Sequence, residues 1–342
     1  MANKRVVGVI GLGMASLPHA KSLQALSDRI DVKGVFSPGA ERRQAFAERF
    51  VMPAVDNVEA IVDNPDISAV LLLTPPNARL NLVEALCASG KHILMEKPVE
   101  RTTAGAMRIV QCCAEADVQL GMVFQHRFRE ASQALRTRIE RAELGDIHAV
   151  QLAVPWWRPQ TYYDEPGRGT YERDGGGVLI NQAIHSLDLM LSLTGPVSEV
   201  ASIAGTTGLH QMESEDFVGA GLRFESGAIG SLMTTTASFP GNTESLTITG
   251  SKASATLAGG ELRVDFQDGR KEHVGETTAS GGGADPMDFP HHWHQALIED
   301  FLDALDAGRE PRCTGRQALD VHHLIDALML SSKEKRHVSV QG

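Results

Sequence analysis

The chain has 342 residues, too many for one ordinary core and enough for two domains. Apolar content of 42% and charged content of 22% are those of a soluble globular protein, and no apolar run is long enough to span a membrane. A formal charge of −11 argues against nucleic acid as a partner but leaves small anions open.

Lys4 and Arg5 lead straight into Val6–Ile10, a β-branched run that reads as a buried parallel strand rather than a signal peptide. The sequence Gly11-Leu12-Gly13-Met14-Ala15-Ser16 follows, then a helix from Ala15 to Leu26. Strand, Gly-x-Gly turn and helix form the setting of a dinucleotide site. Gly11 permits the tight turn, and Gly13 lets a pyrophosphate reach backbone N–H groups at the helix start. Ser16 takes the place of the usual third small residue; the same pattern also makes a plain βα turn. A second strand, Ile30–Phe36, ends at Ser37, where a carboxylate would hold the ribose 2′-hydroxyl of NAD. With no carboxylate there and Arg42 and Arg43 close by, the turn leans toward NADP, or toward both cofactors. The other reading leaves both arginines solvated on the helix 41–50.

Ala69–Leu73 is a third strand, ending in Thr74-Pro75-Pro76-Asn77, with a helix over 79–89. A fourth strand ends in Glu96-Lys97-Pro98, and a helix over 103–116 and a strand over 119–124 complete the alternation. The expected fold class is α/β: a Rossmann-type, doubly wound parallel sheet over residues 1–122 that binds NAD(P). Gly11, Ser37, Thr74, Lys97 and Gln125 all fall at strand carboxyl ends, so all are expected in one crevice.

Residues 123–342 are expected to form a substrate-binding and oligomerisation domain of α+β type, whose C-terminal helices can pack back on the first domain. Trp156, Trp157, Tyr162 and Tyr163 gather with Arg158, Arg168 and Arg173 in a Pro/Gly-rich loop after a strand at 147–154. This is either a wall for a sugar or anion, or a loop packing its aromatics on its own core. Asp174-Gly175-Gly176-Gly177 then opens a helix over 177–193, with Asp174 placed to cap it. Ile180, Ile184, Leu187 and Leu191 form its apolar stripe, and Asn181, His185 and Asp188 stack beside it. His185 is either an acid/base or a core histidine satisfied by Asp188.

Strands at 197–205, 216–224, 228–237, 244–250, 253–258 and 261–267 predict a large open, mostly antiparallel sheet. Its second face, carrying Thr234-Thr235-Thr236, is expected to be solvated or paired with another subunit, with a homodimer or homotetramer through the sheet favoured. Ser280-Gly281-Gly282-Gly283 reads as a flexible loop. His291, His292 and His294 lack a completing carboxylate at ligand spacing, so no metal is expected. Helices over 293–307 and 315–331 and a terminal strand at 338–340 end the chain. The four cysteines (Cys87, Cys112, Cys113, Cys313) have neither metal nor disulfide spacing and read as reduced thiols of a cytoplasmic protein.

Together these motifs resemble the Gfo/Idh/MocA family of oxidoreductases. The likeness is carried by the glycine turn at 11–15, Glu96-Lys97-Pro98, Leu144-Gly145-Asp146-Ile147, Asp174 through Asp188, and Ile298-Glu299-Asp300-Phe301 with Gly308-Arg309-Glu310-Pro311. The resemblance implies that Lys97 contacts both cofactor and substrate hydroxyl and that His185 is the acid/base. Asn181 stands where many members carry Asp, and can act only by positioning. Cofactor contacts are expected from Gly11, Gly13, Met14, Ala15, Ser37 and Arg42, from Thr74, Pro75 and Asn77 along ribose and phosphates, and from Glu96, Lys97 and Gln125. Substrate contacts are expected from Arg127, Trp157, Arg158, Tyr163 and Arg168, with Asn181 and His185. The implied activity is NAD(P)-dependent hydride transfer at a secondary alcohol or ketone of a sugar, sugar acid, nucleotide sugar or cyclic polyol. A dihydrodiol dehydrogenase, a redox-neutral enzyme and a non-catalytic dinucleotide-binding regulator on the same fold are the alternatives. The pair Lys97 and His185, which a regulator does not need, speaks for an enzyme.

Overall fold

The computed structural model describes residues 4–277 and 289–341. The order begins β1 (Arg5–Ile10), α1 (Ser16–Ala25), β2 (Ile30–Phe36), α2 (Ala40–Phe50), α3 (Glu59–Val62), β3 (Ala69–Leu72), α4 (Leu80–Ala88), β4 (His92–Met95), α5 (Thr103–Glu115) and β5 (Leu120–Met122). It continues with α6 (Glu130–Glu140), β6 (Ile147–Pro155), α7 (Gln160–Tyr163), α8 (Ile184–Thr194), β7 (Val197–Gly205), β8 (Phe217–Phe224) and β9 (Ile229–Thr235). Last come β10 (Ser245–Gly250), β11 (Ala253–Ala258), β12 (Glu261–Phe266), β13 (Lys271–Val274), α9 (His292–Ala307), α10 (Gly315–Glu334) and β14 (Val338–Ser339). The loop expected at Ser280–Gly283 lies outside the described residues. The chain divides into two compact units, Met1–Val123 with Pro290–Ala318, and Phe124–Phe289 with Leu319–Gly342. Helix α9 therefore belongs to the first unit.

The first unit is built on a five-stranded sheet in the order β2-β1-β3-β4-β5, with every pair parallel. Strand β3 is buried at all its positions because helices cover both faces of such a sheet. Strand order reverses between β1 and β3, which opens a crevice beyond their carboxyl ends. Gly11 sits at that point with φ +104°, and a Cβ there would lie 2.6 Å from the Leu73 carbonyl carbon. Only glycine satisfies both the dihedral and the space. Arg5 and Arg29 pair with Asp306 and Asp303 on α9; exposed pairs of this kind add little stability.

The second unit carries a nine-stranded sheet in the order β13-β12-β11-β10-β6-β9-β8-β7-β14. Its paired strands run antiparallel except β6 and β9. Burial alternates along β10, β11 and β12, so one face is packed and the other open. Helix α6 packs against β11, β12 and β13, and α8 against β6. Thr247–Thr256 and Thr249–Ser254 hydroxyl pairs, at 2.9 and 2.8 Å, link β10 to β11 across the other face.

Two expectations are corrected here. Thr234, Thr235 and Thr236 are buried rather than displayed on an open face. The loop after β6 covers them: Trp156 and Arg158 donate N–H bonds to the carbonyls of Thr235 and Thr236, and Tyr163 bonds the Thr236 hydroxyl at 2.6 Å. The helix expected over 177–193 is not uniform. It opens as a π-helical turn at Leu179–Ala183 before α8 begins. The Asn181 side chain donates to the carbonyls of Gly176 and Gly177, at 2.7 and 3.1 Å, and a side chain set into the backbone ladder widens a turn in this way.

Candidate active site

In the first unit, the turn after β1 is closed by Ser16, whose backbone N–H and hydroxyl both donate to the Gly13 carbonyl, at 3.0 and 2.6 Å. Ser16 is buried, which explains why a small residue stands there. Gly13 has no atom within 4 Å of the place a Cβ would take, so its backbone faces open space; Met14 is exposed and Ala15 half-buried beside it. Across the strand-order reversal, the Thr74 hydroxyl oxygen is buried and makes no hydrogen bond among the described residues. Such an orphan invites a ligand group. Pro75 and Asn77 are exposed on the turn that follows. Ser37 is buried at the end of β2, with its carbonyl held by Arg43 at 2.8 Å. Arg42 is exposed near the start of α2 and makes no hydrogen bond or ion pair among the described residues. An open glycine turn at a helix start, an orphan hydroxyl and a free guanidinium are the donor set a dinucleotide phosphate chain needs.

Lys97, half-buried, follows β4 on a braced backbone. The Arg79 guanidinium, 1% exposed, donates to the carbonyls of Thr74, Glu96 and Pro98. It thereby ties the Thr74 turn to the Lys97 segment. Burial pushes Arg79 down to about 10, against the pull of Glu96 and Glu100. The Glu96 carboxylate bonds His19 Nε2 at 2.8 Å and accepts the Lys97 N–H at 3.1 Å. Burial alone would raise Glu96, but the His19 bond and the charges of His19 and Lys97 hold it at about 2.

His294 completes this cluster; its ring meets His19 edge-on, with centroids 4.9 Å apart. Burial, aided by His19 and opposed by Glu96, lowers His294 to about 3. His19, Glu96 and His294 are all buried, with ligand atoms within 4.8 Å of one another. The carboxylate that the histidine run lacked in sequence is thus supplied by Glu96. The geometry is nonetheless that of a hydrogen-bonded pair: 2.8 Å between His19 and Glu96 is closer than the roughly 3.3 Å separating two tetrahedral zinc ligands.

In the second unit, His185 lies near the start of α8 and is 8% exposed. Phe124 meets its ring edge-on at 6.1 Å, and His126 lies beside it at 5.1 Å with the planes 31° apart. Asp188 does not satisfy His185. It is fully buried and bound by Arg127 Nε and Nη2 at 2.7 and 2.5 Å. A buried carboxylate needs a whole counter-charge, and the planar guanidinium supplies it in two bonds. Arg127, expected at the substrate, makes this pair with Asp188. Asp174 does not cap the helix either; it accepts the Gly169 N–H at 2.8 Å. The cap is Glu215, a residue remote in sequence, whose carboxylate accepts N–H bonds from Gly177 and Leu179, each at 3.1 Å. A Cβ at Gly177 would fall on the Glu215 carbonyl oxygen, which accounts for that glycine.

The aromatic loop is largely committed within its own unit. Arg158 is buried, lies over the rings of Trp156 and Tyr162, and lends its carbonyl to His210 Nε2. Arg168 stands 4.7 Å above the Tyr162 ring and pairs with Glu165. Trp157, half-buried, meets Phe239 edge-on. Gln125 is buried on the turn that begins the second unit, and its amide oxygen makes no hydrogen bond among the described residues. Sequence reasoning missed Glu215, His126 and the buried His210–Asp216 and Arg129–Glu244 pairs. Their only sequence signal is polar residues inside apolar strands and turns.

A parallel sheet with a glycine turn at its strand-order reversal, joined to a unit bearing a half-enclosed histidine helix, defines a dinucleotide-binding enzyme of two units. Comparison with known proteins makes the class specific. A family model for the "Oxidoreductase family, NAD-binding Rossmann fold" matches residues 5–124, and one for the "GFO/IDH/MocA C-terminal domain" matches residues 132–256. The chain belongs to the Gfo/Idh/MocA family and is an NAD(P)-binding oxidoreductase. It is 25% identical to myo-inositol 2-dehydrogenase of Thermotoga maritima over 98% of both chains. It is 28% identical to 1,5-anhydro-D-fructose reductase of Ensifer adhaerens over 84% of this chain and 85% of that one. The WlbA dehydrogenase of Bordetella pertussis, solved with NADH and UDP-GlcNAcA, superposes with TM-score 0.84 at 27% identity, covering 99% of this chain and 100% of that one. Among the described residues, no helix is long and apolar enough to cross a membrane.

Proposed function

We propose that the protein transfers a hydride between NADP and a secondary alcohol or ketone of a sugar, sugar acid, nucleotide sugar or cyclic polyol. The observation that carries this is Lys97, held at the carboxyl end of β4 by Arg79 and Glu96 on the same sheet edge as Gly11 and Thr74. The bound nicotinamide supplies the hydride acceptor or donor. Gly11, Gly13, Met14 and Ala15 receive the phosphates, and Thr74, Pro75 and Asn77 line the ribose side. Lys97 stabilises negative charge on the reacting oxygen, and His185 takes the hydroxyl proton during oxidation or returns it during reduction. Asn181, with its amide nitrogen bonded to Gly176 and Gly177, presents no negative charge to His185 and serves to position. Trp157 and Arg168, half-buried where Arg158 and Tyr163 are buried, are the loop residues open to substrate.

Preference for NADP rests on Ser37 in place of a carboxylate and on the exposed Arg42 near it. Assembly into a homo-oligomer is supported by the sheet. Ile203, Phe217 and Ile229 are exposed apolar residues, and their pairing to Gly219, Thr235 and Arg223 puts them on one face of β7, β8 and β9. Four free cysteines accord with a cytoplasmic setting.

The test is turnover with NADP and NAD against myo-inositol, 1,5-anhydro-D-fructose and UDP-GlcNAcA, the compounds that the relatives' names supply. Turnover of at least one, reduced more than ~100-fold by His185→Ala, is expected. Cofactor binding without turnover of any sugar or polyol would favour a regulator.

A further inference from the structure

We propose that His126 is a positioning residue for His185: a neutral imidazole, fixed in one tautomer by Arg129, that keeps the ring beside the acid/base uncharged. The inference rests on the assignment of His185 above for its importance to the reaction, but its geometry stands alone.

His126 is buried on the turn Gln125–Phe128, and its ring is tilted only 31° from that of His185. Its Nε2 lies 2.6 Å from Arg129 Nη2. A guanidinium has donors only, so Nε2 must accept and the ring proton must sit on Nδ1. Protonating Nε2 would break that bond and set two cations against each other. Arg129 is itself anchored by Glu244 at 2.7 Å, and the second Glu244 oxygen accepts the Trp156 indole N–H at 3.2 Å. Both partners of this lock are buried, and the guanidinium and carboxylate charges offset each other.

Arg127 pairs with Asp188, and the cavity beside Arg129, lined also by Ser132 and Ser186, carries Glu261 as its further charged group among the described residues. Two imidazolium rings at 5.1 Å would repel strongly, so a chargeable His126 would compete with His185 for the substrate proton. Arg129 removes the competitor. The polar chain His126–Arg129–Glu244–Trp156 thereby leaves His185 as the ring whose charge changes.

The test reads protonation directly and needs no substrate. In full-length protein labelled with 13C and 15N histidine, ring signals are followed from pH 5 to 8, with His126→Phe and His185→Asn used for assignment. His126 is expected to show the Nδ1–H tautomer throughout, without titrating. In Arg129→Met/Glu244→Gln, which removes the lock without stranding a buried carboxylate, His126 gains a titration and the His185 midpoint falls by more than ~0.5 pH unit. Adding His126→Phe to that variant returns the His185 midpoint to its starting value. An Nε2–H or doubly protonated His126 in the unaltered protein would overturn the proposal, even if the variant failed to fold. So would an unmoved His185 midpoint in the folded variant. If the lock behaves as expected while His185→Ala retains full turnover, the failure lies with the role of His185 and not with the lock.

Discussion

Lys97→Ala is expected to lower kcat by more than ~100-fold while leaving the melting temperature of the first unit nearly unchanged. The two effects separate because the backbone around Lys97 is held by other residues. Arg79 holds the carbonyls of Glu96 and Pro98, and Glu96 holds the Lys97 backbone N–H, so all of these bonds survive truncation at Cβ. What is lost is a half-buried ammonium near the strand-order reversal, where the proposed reaction has an alcohol oxygen shed its proton as the carbon gives up hydride. Steady-state kinetics with the best substrate of the panel, alongside thermal denaturation, measure both. A variant with near-normal kcat would remove Lys97 from the chemistry.

The second large effect is on stability. Arg127→Met strands a fully buried Asp188, and breaking one side of such a pair costs about 3–5 kcal/mol. Burial pushes the Asp188 carboxyl up even against Arg127, so without its partner it must take a proton or draw in water. Arg127→Met/Asp188→Leu removes both charges and is expected to recover most of the loss, since an apolar pair of like volume is tolerated where an ion pair stood. Urea denaturation of the three proteins, followed by a probe in the second unit, reads the cycle. A loss below about 1 kcal/mol in the single variant would contradict the picture of a desolvated pair.

Much of this architecture was legible because it rests on local rules. β-branched runs punctuated by glycine and proline marked the parallel strands, and their ends put Gly11, Ser37, Thr74 and Lys97 on one sheet edge, as the strand order requires. Alternation marked β10, β11 and β12. Helix α6 and strand β13 escaped notice: Glu130–Glu140 is dense in arginine and glutamate with few apolar anchors, and Lys271–Val274 is a short edge strand with no fully buried position. Misassigned contacts share one cause. Asp174 and Asp188 stood at ideal local spacing for a cap and for a histidine partner, yet Glu215 supplies the cap and Arg127 engages Asp188, both from far along the chain. Spacing along a helix shows which residues can meet; it does not show which remote side chain needs the charge more. The same limit hid His19, Glu96 and His294, gathered from α1, the end of β4 and α9.

The crevice at Gly11 and Thr74 is proposed to hold a nicotinamide dinucleotide. Titrating purified, folded protein with NADPH and with NADH, followed by nicotinamide fluorescence, tests it most directly. Saturable binding of both is expected, with NADPH tighter on the proposal that Arg42 meets its 2′-phosphate and Ser37 does not repel it. Tighter NADH would reassign Arg42 to the solvated surface. Folded protein that bound neither would contradict the account at its base.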